Sequence, residues 1–391
     1  MRMLRSILSA RASVAALLFV VIPNLSACLP PSSCANADLS CDPGALLLYA
    51  VCEDRVVDGT FFPCSPLSLS GTTSTFAGDG VAGYLDGVGL ATRFRGLQGL
   101  ASDGANLYVA DGDNDRIRKI ELSSRTVTTL AGDGVAGFLD GPGSTARFDQ
   151  PGGMTTDGVS LFVADPNNHR IRRIDLATGV VSTFAGSGTS GYLDGPGASA
   201  RFNAPRDLTI AGANLYVADQ NGQRIRVVNL FSQEVSTLAG DGTSGFAEGV
   251  GTAARFGDPY GIVSAAGNLY VVDARNRRIR KVEIATGLVT TLAGTGVAGF
   301  ADGEGDVAQF NEPDSQIATD GSYLYVADLF NHRIRRIDLT NGRVDTVAGN
   351  GNAGYVDGAG TAVEFEEPFG IASDGRALYV TEPAHVIRKI E

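Results

Sequence analysis

An aromatic-Val-Ala-Asp element, or a near variant of it, recurs in this chain at Tyr108, Phe162, Tyr216, Tyr270, Tyr325 and Tyr379, at intervals of 54 or 55 residues. A constant period of that size marks a repeat architecture, in which each unit buries its apolar face only by stacking on the next. Within the copy from Leu161 to Gly186, LFVADPNNHRIRRIDLATGVVSTFAG, the pattern predicts three short strands: Leu161 to Ala164, Arg170 to Leu176 and Val180 to Ala185. A fourth strand precedes each set, for example Gly261 to Ser264 or Gly370 to Ser373, and ends in a turn such as Asp374-Gly375. Stacked four-stranded meanders of this period predict an all-β, six-bladed β-propeller of antiparallel blades. The chain enters the repeats with an outermost strand, Thr73 to Ala77, and its last repeat stops after a third strand, Val386 to Ile390. The N-terminal strand is therefore expected to complete the last blade, closing the ring and removing two exposed edges.

The strings Asn167-Asn168-His169-Arg170-Ile171-Arg172 and Phe330-Asn331-His332-Arg333-Ile334-Arg335, with the leading Pro259-Tyr260-Gly261-Ile262, resemble the NHL repeat. The resemblance covers roughly residues 70 to 391. It implies a propeller that serves as a binding platform for protein or RNA, as a sensor ectodomain, or occasionally as a metal-dependent lyase. Fold alone does not choose among these.

The repeats absorb most of the 391 residues into one closed body, so length does not imply several domains here. Fifty-one glycines and no tryptophan suit many tight turns with modest side chains between sheets. A formal charge of −12 argues against a nucleic-acid partner, because phosphate binding needs clustered Lys and Arg. The regular arginines have another use: Asp111 with Arg116, Asp165 with Arg170, Asp219 with Arg224, Asp273 with Arg278 and Asp328 with Arg333 are expected to form an ion pair bracing each turn. The last copy, with Glu382 and Val386, breaks that pattern.

Arg2, Arg5 and Arg11 precede the apolar run Val14 to Ile22, which is too short to span a bilayer but suits a signal-peptide core. Leu25-Ser26-Ala27-Cys28 then resembles a bacterial lipobox, which implies removal of residues 1–27, a lipid on Cys28 and an extracytoplasmic position in the bacterial cell envelope. Leu29 in the next position resembles lipoproteins sent to the outer membrane of organisms that have one. Cys34, Cys41, Cys52 and Cys64 are an even set in an oxidising compartment and are candidates for two disulfides of open connectivity; no C-x-x-C spacing or neighbouring His favours a metal site instead. Residues 28–69 are thus expected to be a Cys- and Pro-containing spacer between anchor and propeller, which occupies 70–391.

Long connections between blades, such as Gly132 to Gln150, share a plan: Tyr84, Phe138, Tyr192, Phe246, Phe300 and Tyr355; then the acids Asp86, Asp140, Asp194, Glu248, Asp302 and Asp357; then Phe94, Phe148, Phe202, Phe256, Phe310 and Phe365. Repetition in every copy predicts that both aromatics pin the loops in the core. The acids are expected to hold turns; calcium or another divalent ion is the alternative, although no EF-hand spacing occurs. No cofactor is expected otherwise. His169, His332 and His385 sit in or near the Asn-His-Arg turns, where a structural role is expected. Neither GxSxG nor HExxH occurs, and no Cys lies in the repeats.

The copies disagree on the face that carries these long loops. After the loop's Pro, or its equivalent Leu97, stand Gln98, Gly152, Arg206, Tyr260, Asp314 and Phe369; after the Asp of the second strand come Asp113, Asn167, Asn221, Arg275, Phe330 and Ala384. A frame held constant by packing but varied at one position predicts a contact surface, with Gln98, Arg206, Tyr260, Asp314 and Phe369 rimming the channel mouth and Asp113, Arg275 and Phe330 beside it. Two readings follow. The favoured one is a monomeric, membrane-tethered binding or sensing scaffold for a protein, peptide or glycan. The other is a metal-dependent lyase or hydrolase with an ion in the central channel, for which Asp207, Asp314, Gln316 and Glu367 are the candidate ligands.

Overall fold

The computed structural model describes residues 66–391, together with the backbone of a short pairing of Val56–Val57 with Thr60–Phe61. The chain divides into Met1–Glu53 and Asp54–Glu391, and everything described belongs to the second unit. The expected leader 1–27, Cys28, the disulfide candidates Cys34, Cys41, Cys52 and Cys64, and most of the spacer 28–69 lie outside the described residues.

Six antiparallel sheets form the body, each a meander of successive strands. In blade two the strands run outward from Met154–Thr156 through Ser160–Asp165 and Arg170–Asp175 to Val181–Ala185. The innermost strands of all six blades line one axial cavity of about 90 Å³. Ring closure is as expected: Thr72–Ala77 pairs with Val386–Ile390, from Thr73 opposite Ile390 to Ala77 opposite Ile387. Backbone hydrogen bonds of 2.8 Å from Ser70 to Glu391 and 2.9 Å from Glu391 to Thr72 finish the seam. Leu67 is buried ahead of this strand, and its N–H donates to Asp320 of blade five at 2.9 Å.

Blades two and five have the expected four strands, and the other four add a fifth. In blades one, three, four and six a two-residue strand (Gly87–Val88, Gly195–Pro196, Gly249–Val250 and Gly358–Ala359) pairs outside the fourth. Blades two and five make single bridges there instead, Gly141 to Val181 and Gly303 to Val344. The long connection thus returns along the outer edge, where unpaired N–H and C=O groups would otherwise offer a template for another chain.

Alternation of side chains along each strand places apolar residues between neighbouring sheets. One core cluster joins Tyr216 and Ala218 of blade three to Ile262, Leu269 and Val271 of blade four, and Phe256 fills it from the connecting loop. Phe94, Phe148, Phe202, Phe256, Phe310 and Phe365 are all fully buried, as expected, and each contributes about 1.5–3 kcal/mol by leaving water.

Candidate functional site

Beneath the loop face lies a buried ladder of ion pairs. Arg172, fully buried, donates to Asp165 at 2.8 Å and Asp140 at 2.7 Å, and also to the carbonyls of Arg147 and Leu139. The same unit recurs around Arg118, Arg226, Arg280, Arg335 and Arg388. The expected partners were wrong by two residues: each acid pairs with the arginine seven positions on, not five. Arg116 and Arg118 project to one side of their strand, but only Arg118 reaches the acid. Arg116, Arg170, Arg224, Arg278 and Arg333 instead stack on the loop aromatics, 3.7–4.1 Å from the ring centroids of Tyr84, Phe138, Tyr192, Phe246 and Phe300. Nor does the last blade break the pattern, since Glu382 pairs with Arg388 at 2.7 Å. Those first loop aromatics are not core residues as expected. They are 42–48% exposed, each pinned on one face by a guanidinium, or by Arg388 in the case of Tyr355.

Five of the six loop acids, Asp86, Asp140, Asp194, Asp302 and Asp357, accept from the buried arginine of their blade. Glu248 instead accepts the Thr291 N–H at 2.7 Å. Two of the three histidines also hold structure, whereas His385 Nδ1 is buried without a hydrogen-bond partner among the described residues. His169 Nδ1 accepts the backbone N–H of Ala204, and His332 Nδ1 that of Glu367, both at 3.2 Å, so each locks its turn to the next blade. Gln223 does the same to Asp258 and Asp115 to Gln150. Sequence reasoning missed this lock; its signal was a residue of varied type always 35 positions before its partner.

At the axis, strand register aligns Gly99, Gly153, Asp207, Gly261, Gln316 and Gly370, each directly before the residue that faces the Val of its second strand. Four blades have no side chain at this level, and two have a polar one. Gln316 reaches from blade five across the channel, its Oε1 accepting Leu100 N–H of blade one at 2.7 Å and its Nε2 donating to Asp207 Oδ1 of blade three at 3.1 Å. Asp207 Oδ2 accepts Ile262 N–H of blade four at 3.0 Å. A Cβ on Gly153 would collide with the Asp207 carboxylate, and one on Gly99 would stand 2.9 Å from Gln316 Nε2. The glycines therefore clear the space that this polar bar occupies. Burial with no cation beside it raises the Asp207 carboxyl to about 7 despite these hydrogen bonds.

Directly above the bar stands the varied slot, and the structure corrects its membership. Register places Ser315, not Asp314, level with Gln98, Gly152, Arg206, Tyr260 and Phe369, because blade five carries one extra residue after Pro313. Asp314 projects beside the slot, half-buried. Tyr260 is not an exposed rim residue as expected but only 8% exposed, with its ring edge-to-face on half-buried Phe369 at 5.6 Å. Arg206 lies 5.6 Å above the Tyr260 ring and is tethered through Nε to Gln220 at 2.7 Å. Burial pushes the Tyr260 phenol up to about 12. The outer candidates do not join this group: Arg275, 70% exposed, pairs with Asp258 at 2.6 Å, Asp113 lies near Arg95 at 4.0 Å, and Phe330 stands 43% exposed.

The proposed metal ligands do not converge. Asp207 and Gln316 meet, but Gln316 offers its donor nitrogen there while its oxygen is taken by Leu100; Glu367 belongs to the turn locked by His332. Among the described residues no group of three or more His, Cys, Asp or Glu side chains is arranged to hold an ion.

Fold and repeat chemistry together describe a six-bladed β-propeller whose repeats are similar to the NHL repeat. The chain is 33% identical over 284 residues to the SUPPRESSOR OF QUENCHING 1 protein of Arabidopsis thaliana, a match covering 67% of this chain and 27% of that protein. To NHL repeat-containing protein 2 of Bos taurus it is 33% identical over 296 residues, covering 66% of this chain and 41% of that one. The chain thus spans well under half of these relatives. Among solved structures, an auxiliary nutrient binding protein from Bacteroides ovatus shares the fold at a TM-score of 0.61 and 18% identity, covering 83% of this chain and 77% of its own. No family model matches the chain.

Proposed function

We propose that this propeller is an extracytoplasmic binding or sensing scaffold of the bacterial cell envelope, tethered by a lipid on Cys28, whose loop face holds a protein, peptide or glycan. One observation carries the reading. The ion-pair ladder repeats in all six blades, whereas the slot above the bar holds Gln98, Gly152, Arg206, Tyr260, Ser315 and Phe369, six positions with no two alike in chemistry save the aromatic pair. Packing dictates the ladder and leaves the slot free, and a cluster of Arg, Tyr and Phe at the mouth of a closed channel is the composition of a recognition site. The likeness to a nutrient-binding propeller is in keeping with that reading.

The test is a variant carrying Gln98→Ala, Arg206→Ala and Phe369→Ala, probed beside wild type on peptide and glycan arrays. Lost binding with an unchanged circular dichroism spectrum supports the face. Equal binding by the variant places recognition elsewhere. For the anchor, Cys28→Ser is expected to free the protein from membranes or stall its processing, and a wild type that is soluble without detergent after processing overturns it.

A further inference from the structure

We propose that the mouth takes an α-amino acid zwitterion, its carboxylate on Arg206, its ammonium on Asp314 and its side chain against Phe369. The inference rests on the binding reading above and names the ligand class for the same site.

Arg206 and Asp314 carry opposite charges on either side of Tyr260, from blades three and five, and act electrostatically on each other and on that phenol. Yet they form no ion pair with each other. The Arg206 guanidinium spends only its Nε, on Gln220, so its two terminal nitrogens have no partner among the described residues. Asp314, half-buried, makes no side-chain hydrogen bond or ion pair among them either. Between them the phenol of Tyr260, on a side chain only 8% exposed, likewise has no hydrogen-bond partner. Three polar groups near one another, none spent on a protein partner, remain open to a ligand.

Charge fixes the ligand's polarity. Burial and the nearby acids Glu312 and Asp258 raise the Asp314 carboxyl, against the pull of Arg275 and Arg206, so the position favours an added cation. Arg275 does not supply it, being held 2.6 Å from Asp258. The Arg206 fork presents parallel N–H donors that suit a carboxylate. A ligand that bears both charges answers both groups, and an α-amino acid carries its ammonium and carboxylate on one carbon. The edge-to-face pair of Tyr260 and Phe369 supplies an apolar wall, and the Gln316–Asp207 bar closes the floor, which limits the guest to a small molecule rather than a threaded chain.

Calorimetry on the full-length protein in detergent, with L-phenylalanine, phenylacetate and phenethylamine as probes, tests this. The zwitterion is expected to bind about tenfold or more tightly than either singly charged analogue, as loss of a charge-assisted contact implies. Arg206→Gln is expected to bind phenylalanine no better than phenethylamine, and Asp314→Asn no better than phenylacetate, with near-ultraviolet circular dichroism unchanged in both. Equal affinity of wild type for all three probes, discrimination that survives both substitutions, or no heat with any probe overturns the ligand class. The array result separates the two levels: if the slot variant loses array binding while phenylalanine fails to bind wild type, the face stands and the amino acid falls; if array binding persists, both fall.

Discussion

The side-chain amide of Gln316 donates to the carboxylate of Asp207 at 3.1 Å across the propeller axis, joining blades five and three at their innermost strands. With Leu100 and Ile262 as further partners, this single contact ties four of the six blades together. Gln316→Ala leaves the Leu100 N–H and one Asp207 oxygen without partners in a buried site. The expected loss is about 2–4 kcal/mol of unfolding free energy, one to two unsatisfied groups. Urea denaturation measures it, and a change below about 0.5 kcal/mol would show that water replaces the amide without penalty.

Asp207 also makes stability depend on pH, with a definite sign. Its carboxyl titrates at about 7 in the fold against about 3.9 in an unfolded chain, so the folded state holds the proton more tightly. The stabilisation is complete below pH 4 and is lost as pH rises through 7. Asp207→Asn is expected to lose less melting temperature between pH 5 and pH 8 than wild type does. Some slope remains, because burial also raises Asp165, Asp219 and Glu382 in the ladder. Identical slopes in variant and wild type would mean that Asp207 is ionised throughout.

The two arginines of one strand separate by substitution. Arg172→Ala strands the buried Asp165 carboxylate and two carbonyls and frees the exposed Asp140, and the expected cost is about 3–5 kcal/mol. Arg170→Ala removes a stack on Phe138 and two hydrogen bonds to carbonyls at the surface, for about 1–2 kcal/mol. Thermal unfolding of the pair decides the register of the ladder; a larger loss at Arg170 contradicts it.

Removing residues 70–78 takes the outermost long strand from blade six and bares the edge of Val386–Ile390. Cooperative melting is expected to disappear, or the protein to aggregate. An unchanged transition in calorimetry rules out the closure as a source of stability.

Repeat spacing made the architecture legible, because Tyr108 and its counterparts each occupy the same buried position and packing punishes any change there. The phase of Thr73 to Ala77 made the seam legible for the same reason. The ladder was half legible: alternation puts Arg116 and Arg118 on one side of a strand, and only the depth of the acid beneath the loop chooses between them. The slot was least legible. Alignment on Pro313 placed Asp314 in it, whereas the 55-residue interval from Tyr270 to Tyr325 already carried the extra residue that moves Ser315 in and brings Gln316 to the axis. Burial of Tyr260 had no sequence signal, since its neighbour Phe369 is 109 residues away and the two meet only because the ring closes.

A disc of six closely similar sectors offers a visitor six equivalent ways to settle on it, and an encounter then averages over them. The reach of Gln316 toward Leu100 abolishes that degeneracy. It works like the hand of a clock, giving the hub one heading, so that the mouth above it presents a single azimuth, and any guest seated there is registered against one sector and no other.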